Sequence, residues 1–223
     1  MNKFIMSLTL AFFLFVGGMA LHADSLSTAE FRQLYDSLLA GKTLATQAEK
    51  DGVVVKSEWQ YGQALDLGEG DFDIPVTRVI TITKNGEMVQ KKTLQIVDRI
   101  NTLGNSAFIY EESRALTVEI AGSEPLTPRD SEFLGQFIAS KNDKGGFDVH
   151  NFGLIPSVNV EGDNDEIAAS NISYSCYTEN AKSKCVLTIR DFKLGDYTAL
   201  QGYTLGDPIG TDYVIVAEEE VAP

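Results

Sequence analysis

The chain has 223 residues, with 32 acidic against 18 basic side chains and a formal net charge of −14. Such an acidic surface repels phosphate backbones and anionic lipid headgroups, and binding either requires a basic footprint, so nucleic acid is excluded as a partner. The length suits one large domain or two small ones.

The opening residues, "MNKFIMSLTLAFFLFVGGMALHADS", place Lys3 before an apolar run from Phe4 to Val16, followed by the small residues Gly17, Gly18, Ala20 and Ala23. This is the three-part pattern of a secretory signal peptide. The run is shorter than the roughly 20 residues a membrane helix needs. The reading is a signal peptide over 1–23, cleaved after Ala23 with Ala20 as the other small-residue site. The mature chain over 24–223 then has no transmembrane segment. Its expected place is the periplasm or the medium, reached by the general export route, because no twin arginine precedes the apolar run.

The mature chain begins with "DSLSTAEFRQLYDSLLAGK", where Ser27 and Glu30 have the spacing of a capping box. Phe31, Leu34, Tyr35, Leu38 and Leu39 recur on one face, and Gly41 supplies a stop, which predicts an amphipathic helix over 28–40. "GVVVKSEWQY" then alternates as a strand, with Val53, Val55, Trp59 and Tyr61 on one face. "VTRVITITKNGEMVQKKTLQIV" reads as a hairpin, because Asn85-Gly86 tolerates the positive φ angles of a type I′ turn. Direct pairing sets Ile82 against Val89. A bulge near Lys91-Lys92 is needed to return Leu94 and Ile96 to a buried face.

"SAFIYEE" and "RALTVEIA" read as a further strand pair, with Leu116, Val118 and Ile120 inward. "LTPRDSEFLGQFIASKND" predicts a second helix, capped by Thr127, with Pro128 in the first turn and Phe133, Leu134, Phe137 and Ile138 as its buried stripe. A looser stretch follows from Lys141 to about Ser170. Strands then return, with "LGD" at 194–196 and 205–207 marking turns.

The fold class expected is α+β, predominantly antiparallel β, as a sandwich- or meander-like sheet with two amphipathic helices. One domain over 24–223 is expected, with 122–128 as the place for any sub-boundary. An outer-membrane barrel is set aside, because the strands lack aromatic girdles and the two helices do not belong to that architecture.

The only cysteines, Cys176 and Cys185, lie in "SCYTENAKSKC". If they face each other in an antiparallel hairpin, Tyr174 faces Leu187, Ile172 faces Ile189 and Thr178 faces Ser183. Glu179 to Lys182 are then left as a four-residue loop. Moving away from the turn, the partners on the cysteine face are then all apolar: Ile172, Tyr174, Leu187 and Ile189. A structural disulfide follows from the register and the oxidising compartment. C-x-x-C spacing, which a redox pair would favour, is absent.

Recognisable chemistry is sparse, and no catalytic residue is assigned. His22 falls in the signal, so any histidine mechanism rests on His150, which has no G-x-S-x-G elbow to accompany it. Zinc motifs and nucleotide-binding glycine loops are likewise absent. Asp66, Glu69, Asp71 and Asp73 form one acidic cluster, and Glu161, Asp163, Asp165 and Glu166 another. Either could offer oxygens to calcium, the one cofactor considered, although neither fits an EF-hand frame. Trp59 and Tyr61 could stack on a sugar or other flat ligand.

Two functional classes remain. The first is a non-catalytic exported binding module for an unknown protein or a small-molecule or glycan ligand. The second is a carboxylate-based hydrolase of envelope glycan or peptide. A buried carboxylate pair near Trp59 or Tyr61 favours the second, whereas scattered, solvated acids favour the first. Calcium-dependent binding through the acidic loops is a further alternative.

Overall fold

The computed structural model describes residues 25–122, 131–151, 171–190 and 213–219. One helix, α1 (Thr28–Leu38), precedes eleven strands. These are β1 (Thr43–Lys50), β2 (Val53–Tyr61), β3 (Leu65–Gly68), β4 (Asp71–Lys84), β5 (Glu87–Leu103) and β6 (Ser106–Ile120). They continue with β7 (Ser131–Lys141), β8 (Phe147–Asn151), β9 (Asn171–Glu179), β10 (Lys182–Arg190) and β11 (Tyr213–Glu219).

The strands pair in the order β2-β1-β11-β10-β9-β8-β7-β6-β5-β4-β3, and the sheet returns on itself because β2 also pairs with β4. Ten strands form a closed antiparallel barrel. The free edge of β4 is divided: Asp71 to Asp73 pair with the flap strand β3, and Val76 to Lys84 pair with β2. The expected meander is therefore present, but closed instead of open or doubled into a sandwich. Strands on both sides of the proposed 122–128 sub-boundary share this sheet, since β6 pairs with β7.

Bulges help the long strands curl, because an extra residue on one side bends the strand and tightens its twist. Register shifts occur at Ile82/Thr83, Thr93/Leu94 and Glu111/Glu112. The first corrects the expected hairpin: Ile82 pairs with Gln90 and Thr83 with Met88, so the extra residue is Val89, beside the turn and not at Lys91-Lys92. Leu94 and Ile96 nonetheless stand opposite Arg78 and Val76, on the inner face as expected. "SAFIYEE" and "RALTVEIA" are one continuous strand, β6, whose register passes over Leu116 between Ala115 and Thr117.

The second predicted helix is instead strand β7. Gly135 pairs with Glu111 and Phe133 with Glu112, so Leu134 is a bulge. An inserted residue turns strict alternation into apolar positions at i, i+1, i+4 and i+5, which is the spacing a helix would show. The expected cap at Thr127-Pro128 lies outside the described residues, as do the two "LGD" turns.

Helix α1 closes one end of the barrel. Its predicted capping box is present, with Ser27 N–H donating to Glu30 Oε2 at 3.1 Å and Glu30 N–H donating to Ser27 Oγ at 3.3 Å. It stops at Leu38, slightly short of the expected end. Phe31, Tyr35, Leu38 and Leu39 are buried against Leu44, Phe72, Ile74, Ile100, Ile109, Phe137 and Phe147. The Phe31 and Phe147 rings meet edge to face at 4.9 Å. Leu26, just before the helix, is stitched into the wall: its N–H donates to Ala139 O at 3.1 Å, and its carbonyl accepts from Ala107 N–H at 2.6 Å.

The cysteine hairpin has the predicted register throughout, with Cys176 opposite Cys185, Tyr174 opposite Leu187, Ile172 opposite Ile189 and Thr178 opposite Ser183. Cys176 and Cys185 are joined, with Cα atoms 4.2 Å apart, and both are buried beneath α1. The turn is tighter than expected: Glu179 pairs with Lys182, leaving Asn180 and Ala181 at φ of 52° and 61°. Lys184 is held by Glu179 at 2.7 Å and Glu218 at 3.0 Å. Beside the hairpin, a Cβ on Gly146 would lie 1.9 Å from Cys176 O, so the start of β8 approaches β9 as only glycine allows.

The outer wall carries charge along its strands, including the pairs Lys56–Glu58, Arg99–Asp73 and Lys184–Glu218. This is the opposite of a lipid-facing apolar band. Between β1 and β11 the described register joins only Leu44 to Glu219 and Ala45 to Glu218, both near the helix-closed end.

Two measurements check this architecture. The Cys176→Ala/Cys185→Ala chain is expected to lose about 2–3 kcal/mol in urea unfolding, the entropy of closing so short a loop. Reduction of the unaltered chain should add two hydrogens to its intact mass. Gly146→Ala is expected to cost about 1–3 kcal/mol, as overpacking does when backbone must shift.

Candidate functional site

Side chains alternate across a barrel wall, so each strand sends every second residue inward. From β2 these are Val55, Ser57, Trp59 and Tyr61, as the alternation of the sequence predicts. Their partners on β4 are Ile82, Ile80, Arg78 and Val76. Across β4, Ile74 stands opposite Asp98 of β5, and Asp98 in turn stands opposite Glu111 of β6. Tyr174 enters from β9 and Tyr35 from α1.

Above the apolar floor under α1, the interior thus carries one cation, two acids and several aromatic rings. Trp59, Tyr61, Arg78, Asp98, Glu111 and Tyr174 are only half-buried. Although inward, these side chains keep part of their surface uncovered. α1 occupies the near end. At the far end Lys92 and Gln90 occupy inward positions opposite Ile80 and Ile82.

Arg78 is fixed from two sides. Its Nε donates to Ser57 Oγ at 3.1 Å, and its guanidinium carbon lies 4.6 Å from the centre of the Trp59 ring. Burial lowers its pKa to about 10, against the opposing pull of Glu111 and Tyr61. It is charged at neutral pH, and guanidinium is the cation that tolerates such a place best.

Asp98 and Glu111 share a hydrogen bond directly across the β5–β6 ladder. Burial raises the pKa of both; for Asp98 the charge of Glu111 raises it further, whereas Arg78 and the hydrogen bond hold Glu111 down. The pair as a whole therefore holds a proton more readily than two separate surface acids would. Asp98 Oδ1 is buried with no hydrogen-bond partner. Tyr61 and Tyr174 are pushed well above the usual phenol range by burial and then by these two acids. Tyr35 is raised likewise by burial, while its hydroxyl donates to Gly62 O at 2.6 Å.

Of the residues singled out from sequence, Trp59 and Tyr61 are brought together on the inner wall. The first acidic cluster is not assembled. Asp66 pairs with Arg32 at 2.8 Å, Asp73 receives Arg99 at 3.0 and 3.1 Å, and Glu69 sits in a turn at φ 57° beside Asp71 at the start of β4. The second cluster, Glu161 to Glu166, lies outside the described residues. Among the described residues no three His, Cys, Asp or Glu side chains come together as a metal site would require. His150 is on the outer wall, more than half exposed and 4.0 Å from Asp148.

The central residues Arg78, Asp98 and Glu111 were not singled out from sequence. Their signal was there: each occupies an inward phase otherwise held by apolar residues, as in Ile96-x-Asp98-x-Ile100 and Val76-x-Arg78-x-Ile80. No family model, curated protein or solved structure matches this chain.

Because folding raises the Asp98 pKa, the folded chain holds its proton more tightly than the unfolded chain does. Stability from this pair is fully present below the ordinary Asp pKa of about 4 and is lost as pH rises through the folded value. Asp98→Asn keeps the donor and removes the titration. It should be about 1–3 kcal/mol more stable than the unaltered chain at pH 8, with the gap closing toward pH 4, in urea unfolding at both pH values.

Proposed function

We propose that this protein is a non-catalytic, exported binding module whose ligand is a small organic molecule held inside the barrel. The observation that carries this reading is the set of half-buried, inward-facing polar and aromatic residues, Trp59, Tyr61, Arg78, Asp98, Glu111 and Tyr174, within a closed wall. Small-molecule sites share this composition: aromatic walls with a few placed polar groups that set orientation. Closed barrels of modest strand number commonly hold one such ligand in the interior. Export is supported by the signal-like leader together with the disulfide, which persists in oxidising compartments.

A second reading, hydrolysis of envelope glycan or peptide, has one observation in its favour. Asp98 and Glu111 form a half-buried carboxylate pair close enough to Tyr61 to act on its charge. Their direct hydrogen bond counts against glycoside hydrolysis, which places its two carboxyl groups about 5 Å or more apart to admit the sugar or a water. The pair is better suited to holding a proton than to flanking a scissile bond.

Trp59 is the chain's single tryptophan, so its emission reports on the interior alone. Titration with neutral, anionic and cationic small molecules and with glycan fragments should give a saturable change for at least one class, without turnover. Product release from a glycan or peptide, abolished by Glu111→Gln, would replace this reading with the second.

A further inference from the structure

The interior charges of the dyad layer do not balance without an added positive charge. Arg78 brings one positive charge, and Asp98 and Glu111 bring two negative charges when both are ionised. Burial and the charge of Glu111 raise the pKa of Asp98, which favours a proton on the pair when no cation is present. A cationic ligand could take the proton's place, and the surroundings suit one.

Asp98 Oδ1 is an enclosed acceptor without a donor. Gly135 stands opposite Glu111 in the register, so β7 sends no side chain in beside that carboxylate. The other ionisable groups that face the pair are Tyr35 from α1, Tyr61 from β2, Arg78 from β4 and Tyr174 from β9. The three tyrosines stay neutral, and their rings, with Trp59, offer faces that attract a cation. Arg78 is already engaged with Ser57 and Trp59 and lies nearer in effect to Glu111 than to Asp98, so that among the described residues no cation acts on the Asp98 side of the pair.

We propose that the ligand of the barrel interior is an organic ammonium ion, a monocation with an apolar or aromatic body, which docks on Asp98 and Glu111. This rests on the interior being a ligand site and adds the ligand's charge and chemical class. The exchange balances: the ammonium ion enters with its charge, the pair loses one proton to solvent, and both carboxylates remain ionised between two cations. The apolar body lies against the half-buried rings of Trp59, Tyr61 and Tyr174. Binding therefore strengthens with pH, by about tenfold per pH unit while the pair still holds its proton, because one proton is released per ligand bound.

The test uses the full mature chain and matched probes of two sizes. These are phenethylammonium, 2-phenylethanol and phenylacetate, and their butyl counterparts butylammonium, butanol and butyrate. Trp59 emission measures binding of each, and calorimetry in two buffers of different ionisation enthalpy counts the protons released. The expected result is that an ammonium probe binds at least tenfold more tightly than its alcohol and its carboxylate and releases close to one proton at neutral pH. Asp98→Asn should lower that affinity at least tenfold and abolish the proton release. Glu111→Gln provides the same comparison should the first variant fail to fold, and the proton count on the unaltered chain needs no variant.

Equal or tighter binding of an alcohol or carboxylate, or ammonium binding without proton release, overturns the cation assignment while leaving the interior a ligand site. If no probe of any charge alters Trp59 emission, the reading of the interior as a ligand site falls, and the cation assignment with it.

Discussion

The pairing of β2 with β4 is the contact on which the other features depend. β4 is long enough to serve two neighbours on one edge, giving its first residues to β3 and the rest to β2. Were β3 to extend along the whole edge, the sheet would stay open and its inner face would require another layer to cover it. Because β2 takes that edge instead, the inner face encloses itself. The apolar residues of one half then need only a single helix to seal them. A three-turn amphipathic segment is too short to be stable alone, and α1 persists because it completes this floor.

Enclosure changes the meaning of ordinary charged residues. On an open sheet Asp98 and Glu111 would be a like-charge pair facing water, with a small mutual cost. Inside a barrel the same register places them where water cannot disperse the repulsion, and a proton is retained to relieve it. Arg78 experiences the opposite pressure and answers it through geometry, lying flat on the tryptophan opposite and bonding to a serine hydroxyl. The polar layer thus sits between an apolar floor and the far mouth as a consequence of closure, and it gives a ligand something to recognise other than its size.

How much of this was legible from sequence varied with how local the cause was. The capping box of α1, the Asn85-Gly86 turn and the whole cysteine register follow from residues a few positions apart, and all are found. β7 was misread because the bulge at Leu134 converts an alternating strand into helical spacing, and only pairing with β6 reveals which residue is extra. Closure itself was hidden, since an open meander and a barrel share the same alternation and the same turns. The central site went unseen for a related reason. One charged residue on an apolar phase looks like a flaw in a strand. Three such residues, on β4, β5 and β6, become a site only when closure turns them all inward and the register sets Asp98 against Glu111. The aromatic pair Trp59 and Tyr61 was visible because alternation alone puts both on one face.

The short seam between β1 and β11 bears on how the chain reaches this state. Leu44 and Glu219 lie near opposite ends of the described chain, so their contact closes the longest loop in the fold. Contacts of that kind form late, because their entropy must be met before they return any energy. Every other neighbour in the wall except β2 with β4 is consecutive in sequence and can assemble by successive hairpins, starting from turns that are already preferred locally. Folding is thereby divided into quick zippering along the meander and one slow meeting of its two margins. Until that meeting, the polar layer is still open to water, and its proton has not yet been trapped.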